Sequence, residues 1–200
     1  QLGMKNLSLK ICLMIWALTL SSSISMATSP CSSTGPDEPV ETSHNIIAEF
    51  QAWSVFVEAG PNECFVGADP LETIIEPALA EKILCRGAIG LTVGYWPEAG
   101  MNGQLSFRSG YVFGPDTDKE FIVDNESYLL TSEEGGRVAW PSNADEDFRL
   151  VSAMKRGTRV EIIGKASSGA NVKDIFLLTG FASTVDLAAQ TCSYMLTPVS

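Results

Sequence analysis

The segment Phe121-Ile122-Val123-Asp124-Asn125-Glu126-Ser127-Tyr128-Leu129-Leu130 decides the fold. Two short apolar runs flank Asp124-Asn125, residues that tolerate the positive φ of a tight hairpin turn. Such a turn between such runs predicts a pair of antiparallel strands. The same rhythm extends in both directions. Upstream stand Trp53-Ser54-Val55-Phe56-Val57, ended by Gly60-Pro61, then Cys64-Phe65-Val66, and Ile89 to Trp96, closed by Pro97 and Gly100. Leu105 and Phe107 follow, alternating with Ser106 and Arg108. Downstream, Gly135-Gly136 turns the chain into Val138-Ala139-Trp140. Val160-Glu161-Ile162-Ile163 and Ile175-Phe176-Leu177-Leu178 complete the set. Short runs punctuated in this way predict a mainly β domain, an antiparallel β-sandwich.

Two segments carry a helical period instead. Ser142 stands before Asp145-Glu146-Asp147, where the helix dipole favours negative charge, and Lys155-Arg156 precede Gly157, an expected stop. This predicts a helix capped by Ser142. Near the C-terminus, Phe181, Val185, Ala188 and Cys192 recur at spacings that align them on one helical face. Cys192 then points at the core, and Cys64 is its first-choice disulfide partner.

The chain has 200 residues, 45% of them hydrophobic and 18% charged, which is too apolar for a disordered polymer. Its net charge of -11 excludes a nucleic-acid binder that works by neutralising phosphates. Lys5 and Lys10 precede the apolar run Ile11 to Leu20, and Ser25 and Ala27 fit a cleavage site after Ala27. Residues 1–27 therefore read as a secretory signal peptide, with a run too short to span a membrane. Residues 28–46 read as a flexible leader, residues 47–192 as the β-sandwich domain and residues 193–200 as a tail. Signal removal takes Cys12 away and leaves Cys31, Cys64, Cys85 and Cys192. An even number in an exported chain predicts disulfides, and spacing alone does not choose among the three pairings.

No catalytic constellation emerges. The only histidine, His44, lies in the leader, and no G-x-S-x-G elbow occurs. The cysteines lack zinc-finger spacing and C-x-x-C. Asp116, Asp118 and Glu120 read as a solvated acidic turn, because Phe121 occupies the position that a calcium loop gives to glycine. No metal or cofactor is expected. Gly87, Gly90 and Gly94 make no phosphate loop and predict close strand packing or a bulge. Trp53 reads as core. Trp96 and Trp140 each precede a proline at a strand end, and are the candidate binding surface.

These motifs, in this order, resemble the invasion associated locus B family of exported Gram-negative proteins. The resemblance spans Phe50 to Cys192. It rests on Trp53-Ser54-Val55, Glu63-Cys64-Phe65, Gly103 to Gly110, Ala139-Trp140-Pro141 and Ala153 to Gly157. Its most specific part is Lys173-Asp174-Ile175-Phe176-Leu177-Leu178-Thr179-Gly180-Phe181 before Cys192. It implies a periplasmic, outer-membrane associated or secreted protein, possessing no established enzymatic activity, in a family whose namesakes act in host-cell invasion. Many members place a Cys-x-x-x-x-Cys segment before the first helix, where this chain has Ala139-Trp140-Pro141-Ser142. A cysteine in the first strand is also missing, and Cys31 and Cys85 are additions. The expected role is non-catalytic binding of a protein or glycan of the cell envelope, or a structural role there. The alternative is a histidine-independent, carboxylate-based glycan hydrolase.

Overall fold

The computed structural model describes residues 45–59, 62–77, 84, 86–115 and 119–195. The expected signal peptide, nearly all of the leader, His44, Cys31, Cys85, Asp116 and Asp118 lie outside the described residues.

Among the described residues, eleven strands form one antiparallel sheet, and two α-helices pack against it. The strands are β1 (Ile46–Phe50), β2 (Trp53–Ala59), β3 (Asn62–Ala68), β4 (Glu72–Glu76), β5 (Gly90–Trp96) and β6 (Met101–Arg108). They continue with β7 (Lys119–Val123), β8 (Glu126–Ser132), β9 (Val138–Trp140), β10 (Arg159–Lys165) and β11 (Asn171–Leu177). The helices are α1 (Ala144–Arg156) and α2 (Phe181–Met195). β1 opens at Ile46 and α2 continues past Cys192, so regular structure reaches slightly beyond both expected edges of the domain. No helix among the described residues is long and apolar enough to cross a membrane.

Across the sheet the order is β1-β2-β3-β5-β6-β9-β8-β7-β10-β11-β4. The mainly β, antiparallel expectation holds, with the two layers formed by a single sheet that folds over without closing. Register explains how. In the first half Val55, Val66, Val93 and Leu105 pair successively, and all four are buried. In the second half Val123, Val160 and Phe176 do the same. These rows face one another. The Phe107 and Phe176 rings meet edge to face at 6.3 Å, and Trp53 Nε1 donates to Leu177 O at 2.8 Å. Trp53 is fully buried, as its place in the sequence suggested.

β9 joins the halves over a short span only. It pairs with β6 at Phe107 and Arg108, and with β8 at Thr131 and Ser132. Beyond that point α1 fills the gap: the Leu105 amide donates to Asp147 Oδ1 at 2.8 Å. The cap of α1 is Asn143 rather than Ser142. Asn143 is extended, and its side chain accepts from the amides of Asp145 and Glu146. Phe181, Val185, Ala188 and Cys192 of α2 are all buried, and Phe181 meets Trp53 edge-on at 4.6 Å. Cys192 is disulfide-bonded to Cys64 on the core side of β3, with the Cα atoms 5.8 Å apart.

The hairpin between β7 and β8 turns at Asp124, whose φ is 51°. Its carboxylate accepts from the Thr158 hydroxyl and from the amides of Thr158 and Arg159. These bonds, the Thr158 hydroxyl foremost, hold the Asp124 carboxyl below its ordinary 3.8. An acid with a lowered folded-state pKa contributes stability above its ordinary value and loses it as pH falls through the lowered one. The wild type is therefore expected to lose stability below about pH 4 more steeply than Asp124→Asn. Parallel acid limbs in urea titrations of the two proteins would disprove this.

Candidate functional site: a trough on the outer face of the sheet

The strands that bury one face of the first half leave the other outward. Alternation places Ser54, Gly67, Thr92 and Ser106 on that outer face, paired in one row across β2, β3, β5 and β6. All four are small. The row beside them holds Ile46, Phe56, Phe65 and Gly94, also in register. Phe56 and Phe65 stack with centroids 4.7 Å apart and planes 8° from parallel, making a raised aromatic wall. On the other flank Gly90, Arg108 and Val138 are paired, and Ala88 and Ile89 complete a second wall. A low row between two higher ones makes a trough of about 770 Å³.

Its floor is apolar despite the hydroxyls. The Thr92 and Ser106 hydroxyls lie 2.7 Å apart and bond to each other. That turns the Thr92 methyl toward Gly67, where a Cβ would meet Cγ2 of Thr92 at 3.5 Å and Cε2 of Phe56 at 3.6 Å. A side chain at Gly67 would therefore start in ordinary contact with these carbons, with Leu91 O 4.0 Å away. Glu58, Asp69 and Arg108 supply the charge at the rim. Asn45 donates to Glu58 at 2.7 Å. Arg108 is exposed and has no hydrogen bond or ion pair among the described residues.

The strap carrying Ala88 and Ile89 is fixed from inside the protein. Arg86 enters the interior and grips Asp174 of β11 with two nitrogens, at 2.8 and 2.7 Å. The same guanidinium donates to Ser109 O and lies over the Tyr111 ring at 5.2 Å. Thr73 Oγ1 donates to Asp174 at 2.6 Å. Burial, reinforced by the Asp174 charge, pushes the Tyr111 phenol well above its ordinary pKa, against the pull of Arg86. Gly87 N donates to Gly110 O at 2.8 Å, which sets the strap just ahead of Ala88 and Ile89. A buried clasp thus holds one wall of the trough.

Trp96 and Trp140, the two tryptophans singled out from sequence, are both half-buried. A register shift between Gly94 and Tyr95 forms a bulge. The extra residue is Gly103 on β6; Trp96, two residues after Gly94 on β5, folds its ring over Gly94 in a space that any Cβ there would invade. Gly94 pairs with Phe65, but Trp96 itself is not among the residues that line the trough. Trp140 follows Val138 by two residues on β9 and shares its side of the strand, but lies outside the trough. A smaller cleft of about 220 Å³ between the β7–β8 turn and the end of α1 includes Asp124, whose carboxylate is already engaged. Of the acids among the described residues, Asp174 alone is buried, and Arg86 neutralises it.

No family model matches the chain, and no curated protein matches it in sequence. One solved structure similar to it is invasion associated protein B from Bartonella henselae, at 12% identity and a TM-score of 0.49. That match covers 73% of this chain and 97% of the other. A likeness of this size carries no conclusion about role or chemistry.

Proposed function

We propose that the chain is an exported, disulfide-stabilised protein of the periplasm or outer envelope, or a secreted one. Its role is non-catalytic: it binds an envelope component in the trough on its outer face. The trough carries this reading, because an apolar channel with an aromatic wall and a fixed second wall is built to hold something. The hydrolase alternative requires two carboxylates flanking a scissile bond. The trough holds Glu58, bonded by Asn45, and an exposed Asp69 at its rim, and the buried Asp174 is committed to Arg86. The likeness of Lys173 to Phe181 and Cys192 to the invasion associated locus B pattern supports export and a role in surface or host contact.

The test is purification of the full-length gene product from a Gram-negative host. Intact mass should show loss of residues 1–27, and Cys64 and Cys192 should resist alkylation. Organic extraction should release a small molecule from the wild type and none from Gly67→Leu, with equal melting temperatures. Recovery from the cytosol with residues 1–27 attached, or identical extracts from both proteins, would overturn the reading.

A further inference from the structure

We infer that the occupant of the trough is an unbranched aliphatic chain with an anionic head, held as a free amphiphile; this rests on the trough being the binding seat. The floor row crosses four strands, a span of about 14 Å at the usual strand spacing. It is narrow, because only Gly67 and three short side chains lie between the Phe56–Phe65 stack and the Ala88–Ile89 strap. A sugar is read by polar groups on the surface it lies on, yet Thr92 and Ser106 bond to each other and the Thr92 methyl faces Gly67. That leaves Ser54 as the floor hydroxyl without a partner among the described residues. A polymethylene chain asks for no hydrogen bonds and gains free energy from each buried carbon.

The head group follows from charge. In a chain of net charge -11, Arg108 stands at the trough with no ionic partner among the described residues. It sits in the row Gly90–Arg108–Val138, at the end of the floor that Ser106 forms. An anion there gains a guanidinium able to bind two oxygens at once. Of the three rim charges, Asp69 and Glu58 both repel the same anion. Glu58 lies on β2, further across the sheet from Arg108 on β6 and engaged by Asn45, so Asp69 is the nearer opponent.

Calorimetric titration of the full mature protein with dodecanoate, dodecyltrimethylammonium and dodecyl maltoside, each below its micellar concentration, tests this. Dodecanoate should bind about tenfold more tightly than the cationic chain. Arg108→Gln should erase that preference, Asp69→Asn should strengthen dodecanoate binding, and Gly67→Leu should abolish binding of all three. If Gly67→Leu does not fold, Ser54→Leu fills the same row from the neighbouring strand. Equal affinity for all three amphiphiles, lost in Gly67→Leu, would refute the anionic head and leave the trough as the seat. Binding of none, or binding indifferent to Gly67→Leu, would refute the aliphatic occupant, while the extraction experiment above would still judge the trough. Sedimentation with phosphatidylglycerol vesicles that Gly67→Leu leaves unchanged, without dodecanoate binding, would overturn the free amphiphile in favour of a membrane surface.

Discussion

Asp174→Ala is expected to cost about 3–5 kcal/mol of stability, among the largest effects of any single substitution in the chain. Asp174 is 1% exposed and the Arg86 side chain 9%, so the variant strands a guanidinium in the interior without its counter-charge. The cost comes from that stranding more than from the loss of an attraction. Arg86→Met combined with Asp174→Leu should therefore be less damaging than Asp174→Ala alone, because the clasp then holds no unpaired charge. Urea unfolding of the two variants decides the matter. A double variant at least as unstable as the single one would show that the ion pair itself, rather than its desolvated remnant, sets the cost. Both variants should also weaken ligand binding, since the clasp holds the strap that walls the trough.

Opening the disulfide is the second large effect. Cys64 and Cys192 are 128 residues apart in sequence, so their bond restricts most of the unfolded domain. Replacing both by alanine should remove about 2–5 kcal/mol. For a domain of this size that lowers the melting temperature by roughly 10 °C. Scanning calorimetry with and without reductant measures the same quantity on the wild type. Coincident transitions would show that the bond contributes nothing. The loss should be felt first in α2, whose buried stripe ends at Cys192.

Much of the fold was legible because strand and helix periods are local properties. Phe121 to Leu130 showed its hairpin through Asp124-Asn125, and the buried stripe of α2 was visible as Phe181, Val185, Ala188 and Cys192. β4 was not, because its two isoleucines are hemmed by Thr73 and by glutamate at both ends. β1 was hidden at the margin of a Ser/Pro-rich stretch. The choice of Ser142 over Asn143 as helix cap turned on one residue of backbone geometry, and both residue types serve. The trough was beyond reach for a different reason. Ser54, Gly67, Thr92 and Ser106 become a row only when the register of four strands is known, and none of the four signals a site alone. Trp96 drew notice through Pro97, but its ring covers Gly94, outside the trough, a placement that no local residue pattern announces. Likewise, Arg86 and Asp174 meet only because the strap and β11 are brought together in space.

Among the described residues no strand pairs with the outer edge of β4, whose central Ile74 is 38% exposed. A second copy approaching that edge antiparallel about Ile74 would set Glu72 opposite Glu76 at both ends of the new ladder. Facing like charges oppose such zippering. The acids that disguise β4 as a strand thus also act as gatekeepers against end-to-end fibre growth.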